Sequence, residues 1–374
     1  MENFQQCTKT VMDNIADPDI KFDEQGICNY WYEYKEKAEE KLIHGEQGKR
    51  LWKSTVDKIK KASQGKKYDC IIGVSGGVDS TYAAYLVKKA ELRPLVVHFD
   101  NGWNSEIAVK NINNIIDYLN ADLHTLVIDW EEFRDLQRAY LKAGVVDIEV
   151  LTDHAIFGTL YKLASKNGIK YVISGTNVET EALLPKSWIF NKVDSINIKD
   201  IHKKFGTVEL KTYPFFSILL KKYYHNFKQL TFISPLNWTP YNKQHIKELI
   251  SKEIGWEDYG GKHHESVFTK FYQNYILPQK FKIDKRKAHL SNLICSDQIT
   301  KDEALVELGK PLYDKEELRH DKEYVAKKLG FSFDEFDEIM ASEPKSHYDF
   351  KVEGPIEDHY PFMKPLKGLY KLLK

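Results

Sequence analysis

Ser75-Gly76-Gly77-Val78-Asp79-Ser80 is the stretch whose residue types and spacing best suit chemistry. Gly76 and Gly77 carry no side chains, so backbone N–H groups there can approach an anion closely. Ser75 and Ser80 add hydroxyl donors. A helix beginning near Val78 would aim the positive end of its dipole at the same point. Asp79 has the wrong charge to touch phosphate, but it can hold a Mg2+ that does. The loop is not Gly-x-x-x-x-Gly-Lys-Ser/Thr, because no Lys lies in the turn, and it is not Gly-x-Gly-x-x-Gly. A plain Gly-Gly turn capped by Asp and Ser is the competing reading. It loses ground once all six residues stand between an apolar run and a helical stretch.

A second group follows another apolar run: Ser174-Gly175-Thr176-Asn177-Val178-Glu179-Thr180-Glu181. Gly175 again permits close backbone approach, and Thr176 and Asn177 can exchange hydrogen bonds. Glu179 and Glu181 are candidates to hold Mg2+ together with Asp79. The alternative is ordinary helix capping, which also favours Thr or Asn followed by acids. Ser234-Pro235-Leu236, with Lys243 beyond it, follows a third such run.

The elements that must position these residues can be read from the hydrophobic rhythm. Residues 68–74 form a short apolar run that fits a strand buried on both faces. Helical text follows over 78–90, then a strand over 95–99 and a helix over 105–119. A strand over 124–128 precedes helical text over 131–143 and 153–167, and strands are expected over 170–174 and 230–234. Strands alternating with helices predict an α/β fold with a parallel sheet and helices on both faces. In such sheets ligands bind beyond the carboxyl ends of the strands, where all three groups stand. Residues 1–65 read as a separate N-terminal module, helical over 30–61 with a break near 44–48. Residues 66–258 read as the sheet domain. An insertion at about 184–228 is expected to pack over the carboxyl edge. Residues 259–374 read as mainly helical, with helices over 245–254, 266–275, 301–308, 321–329 and 332–340.

The bulk arithmetic limits the function classes. At roughly 150 residues per domain, 374 residues allow about two and a half domains. Lys plus Arg number 55 and Asp plus Glu number 55, so the chain shows no overall basic excess for nucleic acid. A hydrophobic share of 42% is enough to build a sizeable core. No apolar run approaches the roughly 18 residues needed to cross a bilayer. The first ten residues lack an apolar signal core, so a cytoplasmic location without membrane insertion is expected. Four cysteines (Cys7, Cys28, Cys70, Cys295) do not make a disulfide scaffold in so long a chain.

The hexapeptide at 75–80 resembles the PP-loop of the ATP pyrophosphatase superfamily, also called the adenine nucleotide alpha hydrolases. Three further stretches resemble the N-acetyl sugar amidotransferases of bacterial surface-polysaccharide synthesis, the WbpG/PseA type. They are Phe22-Asp23-Glu24-Gln25-Gly26-Ile27-Cys28, the run from Gly260 to Phe271, and the run from Ile283 to Ser296. That resemblance covers residues 7–349. It implies a Rossmann-like PP-loop domain in which Ser75, Gly76, Gly77, Asp79 and Ser80 grip the pyrophosphate portion of ATP. It places His98 and Asp100, after the second strand, near adenine and ribose, and Gly175, Thr176 and Asn177 on the ATP as well. It implies conversion of an N-acetyl group on a nucleotide-linked sugar, UDP-linked or otherwise, to an acetamidino group through an adenylylated imidate. ATP would give AMP and pyrophosphate. Ammonia would come from a HisH-like glutaminase partner, because this chain has no glutaminase elbow.

Such chemistry needs a cation beside the leaving pyrophosphate. Lys285, Arg286 and Lys287 are the candidates, with a solvated helix face as the competing reading. Lys262, His263, His264 and His289 are candidates for the sugar nucleotide. Relatives of this type carry paired Cys-x-x-Cys motifs. Here Thr10 and Trp31 stand at the second thiol positions, so Cys7 and Cys28 are a remnant and zinc is not expected. Packing of Tyr30, Trp31 and Tyr32 is expected to hold the N-terminal module instead. Two other readings compete with the amidotransferase. One is a tRNA-modifying thiolase or lysidine synthetase, whose only plausible reactive cysteine would be Cys295. The other is a non-catalytic nucleotide-binding scaffold, which would not need the carboxylates.

Overall fold

The computed structural model describes residues 4–261 and 265–354. The N-terminal segment carries α1 (Asn29–Lys41) and α2 (Gly45–Ala62). Then come β1 (Cys70–Gly73), α3 (Val78–Lys89), β2 (Pro94–Asp100), α4 (Glu106–Leu119) and β3 (Leu123–Val127). They are followed by α5 (Trp130–Ala143), α6 (Val150–Lys166), β4 (Tyr171–Ile173), α7 (Val178–Glu181), α8 (Ser195–Phe205), α9 (Ile218–Asn226), β5 (Thr231–Ile233) and α10 (Lys243–Ile254). The C-terminal region contains α11 (Val267–Phe271), α12 (Arg286–Cys295), α13 (Lys301–Leu308), α14 (Lys315–Leu329) and α15 (Phe333–Ala341).

Among the described residues the strands make one sheet in the order β3-β2-β1-β4-β5, and every pairing is parallel. The order reverses direction at β1, so the loop after β1 opens at the crevice where such sheets bind ligands. β1 lies at the centre with Cys70, Ile71 and Ile72 fully buried, which accounts for its unbroken apolar run. β3 is an edge strand and leaves Val127 69% exposed.

The sheet separates two cores. On one face Ile72, Val74 and Val96 pack with α2, α3, α4 and α10 through Ile59, Val87, Ile115 and Ile250. On the other, Ile71, Val97 and Val172 meet Leu160, Tyr161 and Ala164 of α6. A third cluster joins α5 and α6 to the C-terminal helices and also takes in Cys7, Met12, Tyr30 and Tyr34. The first 65 residues therefore share their apolar contacts between the sheet domain and the C-terminal region. Of the three aromatics expected to anchor them, Tyr30 is buried with its hydroxyl on Asp17, and Trp31 is half-buried. Tyr32 is 51% exposed and bonds Asp23.

The segment at 184–228 forms α8 and α9, which pack on α5 and α6. Backbone N–H groups of Thr207 and Val208 donate to Asp135, those of Lys211 to Tyr213 donate to Glu132, and that of Phe216 donates to His154. Buried carboxylates at the start of α5 thus satisfy a strand-less backbone, a need that no local pattern reveals. The helix expected over 266–275 is α11 followed by a π-helical stretch, Tyr272–Phe281, with Pro278 inside it. Proline has no N–H, so a wider helical register costs less there than an unbroken α-helix.

Candidate active site

The loop after β1 is held by its own side chains and by two outside anchors. The Gly77 N–H donates to Ser75 Oγ (3.2 Å), and the hydroxyls of Ser80 and Thr81 donate to the Gly77 carbonyl (3.1 and 2.7 Å). Trp256 Nε1 and Asn111 Nδ2 donate to the Gly76 carbonyl (2.9 and 3.3 Å). Gly76 has φ +78°, and a Cβ there would meet the Ala108 carbonyl at 2.7 Å, so glycine is required by both conformation and space. Gly175 faces the loop from β4. A Cβ on it would stand 2.8 Å from the Asp79 carbonyl carbon, so the two loops touch backbone to backbone.

Between them lies an open pocket of about 210 Å3, lined by Ser75, Gly77, Asp79, Ser80, Ser174, Gly175, Thr176 and Glu181, and closed by Lys243, Lys247, Asp258, Tyr259 and Glu265. Small-molecule sites usually run ~300–1,000 Å3. This one therefore suits the phosphate end of a nucleotide and leaves the remainder at the open rim. Tyr241 donates its hydroxyl to Asp79, and burial together with that carboxylate pushes the phenol well above its ordinary range. Burial, with Glu265 nearby, does the same to Tyr259. Hydroxyls of Ser174, Thr176 and Ser234 form a string across the ends of β4 and β5 (3.0 and 2.9 Å).

The pocket adds two cations, Lys243, which stands beyond the Pro235-Leu236 segment, and Lys247, which no motif pointed to. Lys243 and Lys247 lie four residues apart on one face of α10, aimed at the loop. Lys247 also pairs with Asp258 (2.6 Å). Their i, i+4 spacing directly after the Pro235-Leu236 segment was the available signal.

Several expected site residues stand elsewhere. Glu179 is buried behind the pocket, 3.5 Å from His44 Nε2 and 3.3 Å from Gln298 Nε2, and burial pushes its carboxyl up to about 7. Thr180 and Glu181, one and two positions on, are turned about 100° and about 200° from Glu179, so only part of that turn faces the loop. Asn177 caps α7, accepting from the Thr180 N–H and hydroxyl (2.9 and 3.0 Å), while its own Nδ2 is buried without a hydrogen bond. His98 is buried between the Val74 carbonyl (3.1 Å) and Asn104 (3.1 Å). Asp100 holds the turn after β2 through Gly102 N–H and Asn104. Neither lines the phosphate pocket.

The basic run at 285–287 is dispersed. Arg286 forks onto Asp284 (2.7 Å) and donates to the carbonyls of Glu307, Leu308 and Lys310, so it closes the end of α13. Lys287 pairs with buried Asp13. Both serve the fold, because three consecutive residues at a helix start point in directions about 100° apart. Lys285, the residue capping the start of α12, and His289 within it stand outside the phosphate pocket. Lys262, His263 and His264 fall outside the described residues.

Among the described residues no three or more His, Cys, Asp or Glu side chains cluster as metal ligands. Cys7 and Cys28 are buried together, with the Cys28 N–H donating to Cys7 Sγ (3.2 Å) and the Thr10 hydroxyl 3.7 Å from Cys28 Sγ. Cys295 is also buried, which pushes its thiol up to about 12, an environment for an inert thiol. The donor set at the loop nevertheless fits a magnesium nucleotide. Asp79 and Glu181 are hard oxygen ligands in the pocket, and Mg2+ takes one or two carboxylates plus phosphate oxygens. No described helix is long and apolar enough to cross a membrane.

A parallel sheet with a glycine-serine-aspartate loop after its central strand defines an α/β protein with an anion-suited loop at its switch point. Residues 265–367 match the family described as LPS biosynthesis protein WbpG-like, C-terminal domain. The chain is 33% identical over 113 residues to an uncharacterized protein of Methanocaldococcus jannaschii, covering 30% of this chain and 39% of that protein. It is 33% identical over 81 residues to a 7-cyano-7-deazaguanine synthase of Nautilia profundicola, covering 21% and 36%. The matches thus span less than two fifths of these curated relatives. Among solved structures, an NH3-dependent NAD synthetase from Campylobacter jejuni aligns with 14% identity over 80% of this chain and 99% of that one, at a TM-score of 0.32. What these comparisons place on the chain itself is a WbpG-like C-terminal domain over residues 265–367.

Proposed function

We propose that the protein is an ATP-dependent amidotransferase. It converts the N-acetyl group of a nucleotide-linked sugar, UDP-linked or otherwise, to an acetamidino group for a bacterial surface polysaccharide. Ammonia comes from a partner glutaminase in the cytoplasm. The observation that carries the reading is the union of the phosphate pocket with the WbpG-like segment, since Glu265, the first residue of that segment, lines the pocket.

An acetamide is a poor electrophile, so its oxygen must first be bonded to a good leaving group. Loop amides, the Ser75 and Ser80 hydroxyls, and Lys243 and Lys247 draw charge off the β and γ phosphates as pyrophosphate departs. Asp79 and Glu181 would hold Mg2+, which supplies Lewis-acid neutralisation of the same oxygens. Tyr241 fixes the Asp79 carboxylate in place. No covalent enzyme nucleophile is required, in keeping with four buried cysteines.

Incubation with ATP, Mg2+, ammonia and a panel of N-acetylated UDP- and CMP-sugars should release AMP and pyrophosphate and add one nitrogen to the sugar. Release of ADP and phosphate would refute the reading. Tight, salt-sensitive tRNA binding would replace it with nucleic-acid modification.

A further inference from the structure

A second group of charged side chains lies beside the phosphate pocket, and the reaction as described leaves it unused. Glu149 stands at the start of α6 and accepts a hydrogen bond from the Thr269 hydroxyl (3.2 Å). Asp147, Asp153, Lys192 and Lys285 face it, and Tyr272 lies against it. Lys192 is consumed by Asp147 (2.7 Å) and Asp153 (3.1 Å). That leaves Glu149 and Lys285 without each other: among the described residues no carboxylate comes within 4.0 Å of the Lys285 ammonium, whose neighbour is the Tyr272 ring at 5.7 Å. Both side chains are half-buried, each keeping part of its surface open. A carboxylate and an ammonium left apart in such a place are costly to the fold unless something else meets them.

This group is close to the phosphate pocket. Glu265 lines that pocket, and Thr269, four residues on, holds Glu149. Four residues span ~6–13 Å between helical and extended limits. Asn101, just after β2, donates to the Thr152 hydroxyl in the first turn of α6 (3.4 Å). A group bound over Glu149 would therefore lie within reach of the α-phosphate of a nucleotide whose pyrophosphate fills the pocket.

We propose that this group of side chains forms the acceptor subsite, with Glu149 as the base for the amide N–H of the sugar and Lys285 as the cation for an anionic part of the same acceptor. The assignment rests on the amidotransferase reading. The acetamide oxygen forms a bond to the α-phosphorus, the α–β P–O bond breaks, and its electron pair leaves on pyrophosphate. Glu149 takes the N–H proton, giving a neutral O-adenylyl imidate. The ammonia lone pair then forms the new C–N bond, and one of its protons passes to the sugar nitrogen. The C–O bond breaks with its pair on AMP, and the product is the amidinium. Glu149 releases its proton to water and is reset. Burial, followed by Asp153, pushes the Glu149 carboxyl up to about 7, the range in which a base serves best near neutral pH.

The test compares Glu149→Gln, Glu149→Asp and Lys285→Met with the unaltered protein, following AMP release from ATP, Mg2+ and ammonia with the panel of N-acetylated nucleotide sugars. Glu149→Gln should lower kcat ~100-fold or more. It should also remove the rise in rate that the unaltered protein shows as pH increases through about 7. Glu149→Asp should keep that pH limb at a lower rate, so it reads the proposal even if the Gln variant does not fold. Lys285→Met should raise KM for the acceptor ~10-fold with a smaller effect on kcat. AMP release by the unaltered protein together with an unchanged rate and pH profile in both Glu149 variants would overturn this assignment alone. Absence of AMP release by the unaltered protein would overturn it together with the underlying reading.

Discussion

The loop at 75–80 and the basic run at 285–287 both read as phosphate-handling sequences, and the fold treats them oppositely. The loop keeps Ser75, Gly77, Asp79 and Ser80 on one pocket. The run sends Lys285 to the Tyr272 ring, Arg286 to the end of α13 and Lys287 to Asp13. A tight turn between a strand and a helix gathers neighbouring residues around one point, because its function lies in backbone groups. Long side chains at a helix start diverge, and each takes whatever partner tertiary packing offers. The cations of the phosphate pocket are instead Lys243 and Lys247, one helical turn apart.

This contrast can be broken experimentally. The largest effect should come from Asp79→Ala, with pyrophosphate release falling ~1,000-fold, or about 4 kcal/mol of transition-state stabilisation, at little cost to the melting temperature. A rate within tenfold of the unaltered protein would remove Asp79 from the site. Lys287→Ala should do the reverse. Leaving buried Asp13 uncompensated should cost about 3 kcal/mol in denaturant unfolding, with ATP affinity unchanged. Lys247→Ala should raise KM for ATP ~10-fold, about 1.4 kcal/mol, a smaller loss because Lys243 remains beside it.

The smallest expected effect separates Glu179 from the metal site. Its folded carboxyl sits at about 7, above the ordinary 4.5. The native state therefore holds a proton that the unfolded chain releases between those values, and stability falls as pH rises through that window. Glu179→Gln should flatten the fall and gain on the order of 1 kcal/mol at pH 8, read from urea midpoints at pH 4.5 and 8. A steep loss of Mg2+-dependent activity in that variant would return Glu179 to the metal.

All five strands fall where the apolar runs put them: β1 and β2 because buried parallel strands demand continuous apolar runs bounded by turns, β3 and β5 although they are largely or partly exposed. The α13 helix was legible because Thr300 and Glu303 form a capping box. The helices α8 and α9 were not, since the anchors of the segment between them are Glu132 and Asp135, more than 70 residues earlier. For the same reason Asn177, expected on ATP, and Glu179, expected on Mg2+, do not line the pocket: capping residues and ligand-binding residues share the same types, and only the orientation of the α7 turn tells them apart.

The sequence by itself determined the parallel α/β sheet, the loop at its switch point and the glycines that let Asp79 and Gly175 touch. Those features depend on local backbone conformation and on short-period burial, which residue order encodes directly. Tertiary structure alone decided which charged side chains meet. It joined Lys243 to the loop, tied Lys287 to Asp13 across 274 residues and left Glu149 facing Lys285 unpaired. A charge acts through space and not along the chain, so its partner is fixed only when distant segments are packed together.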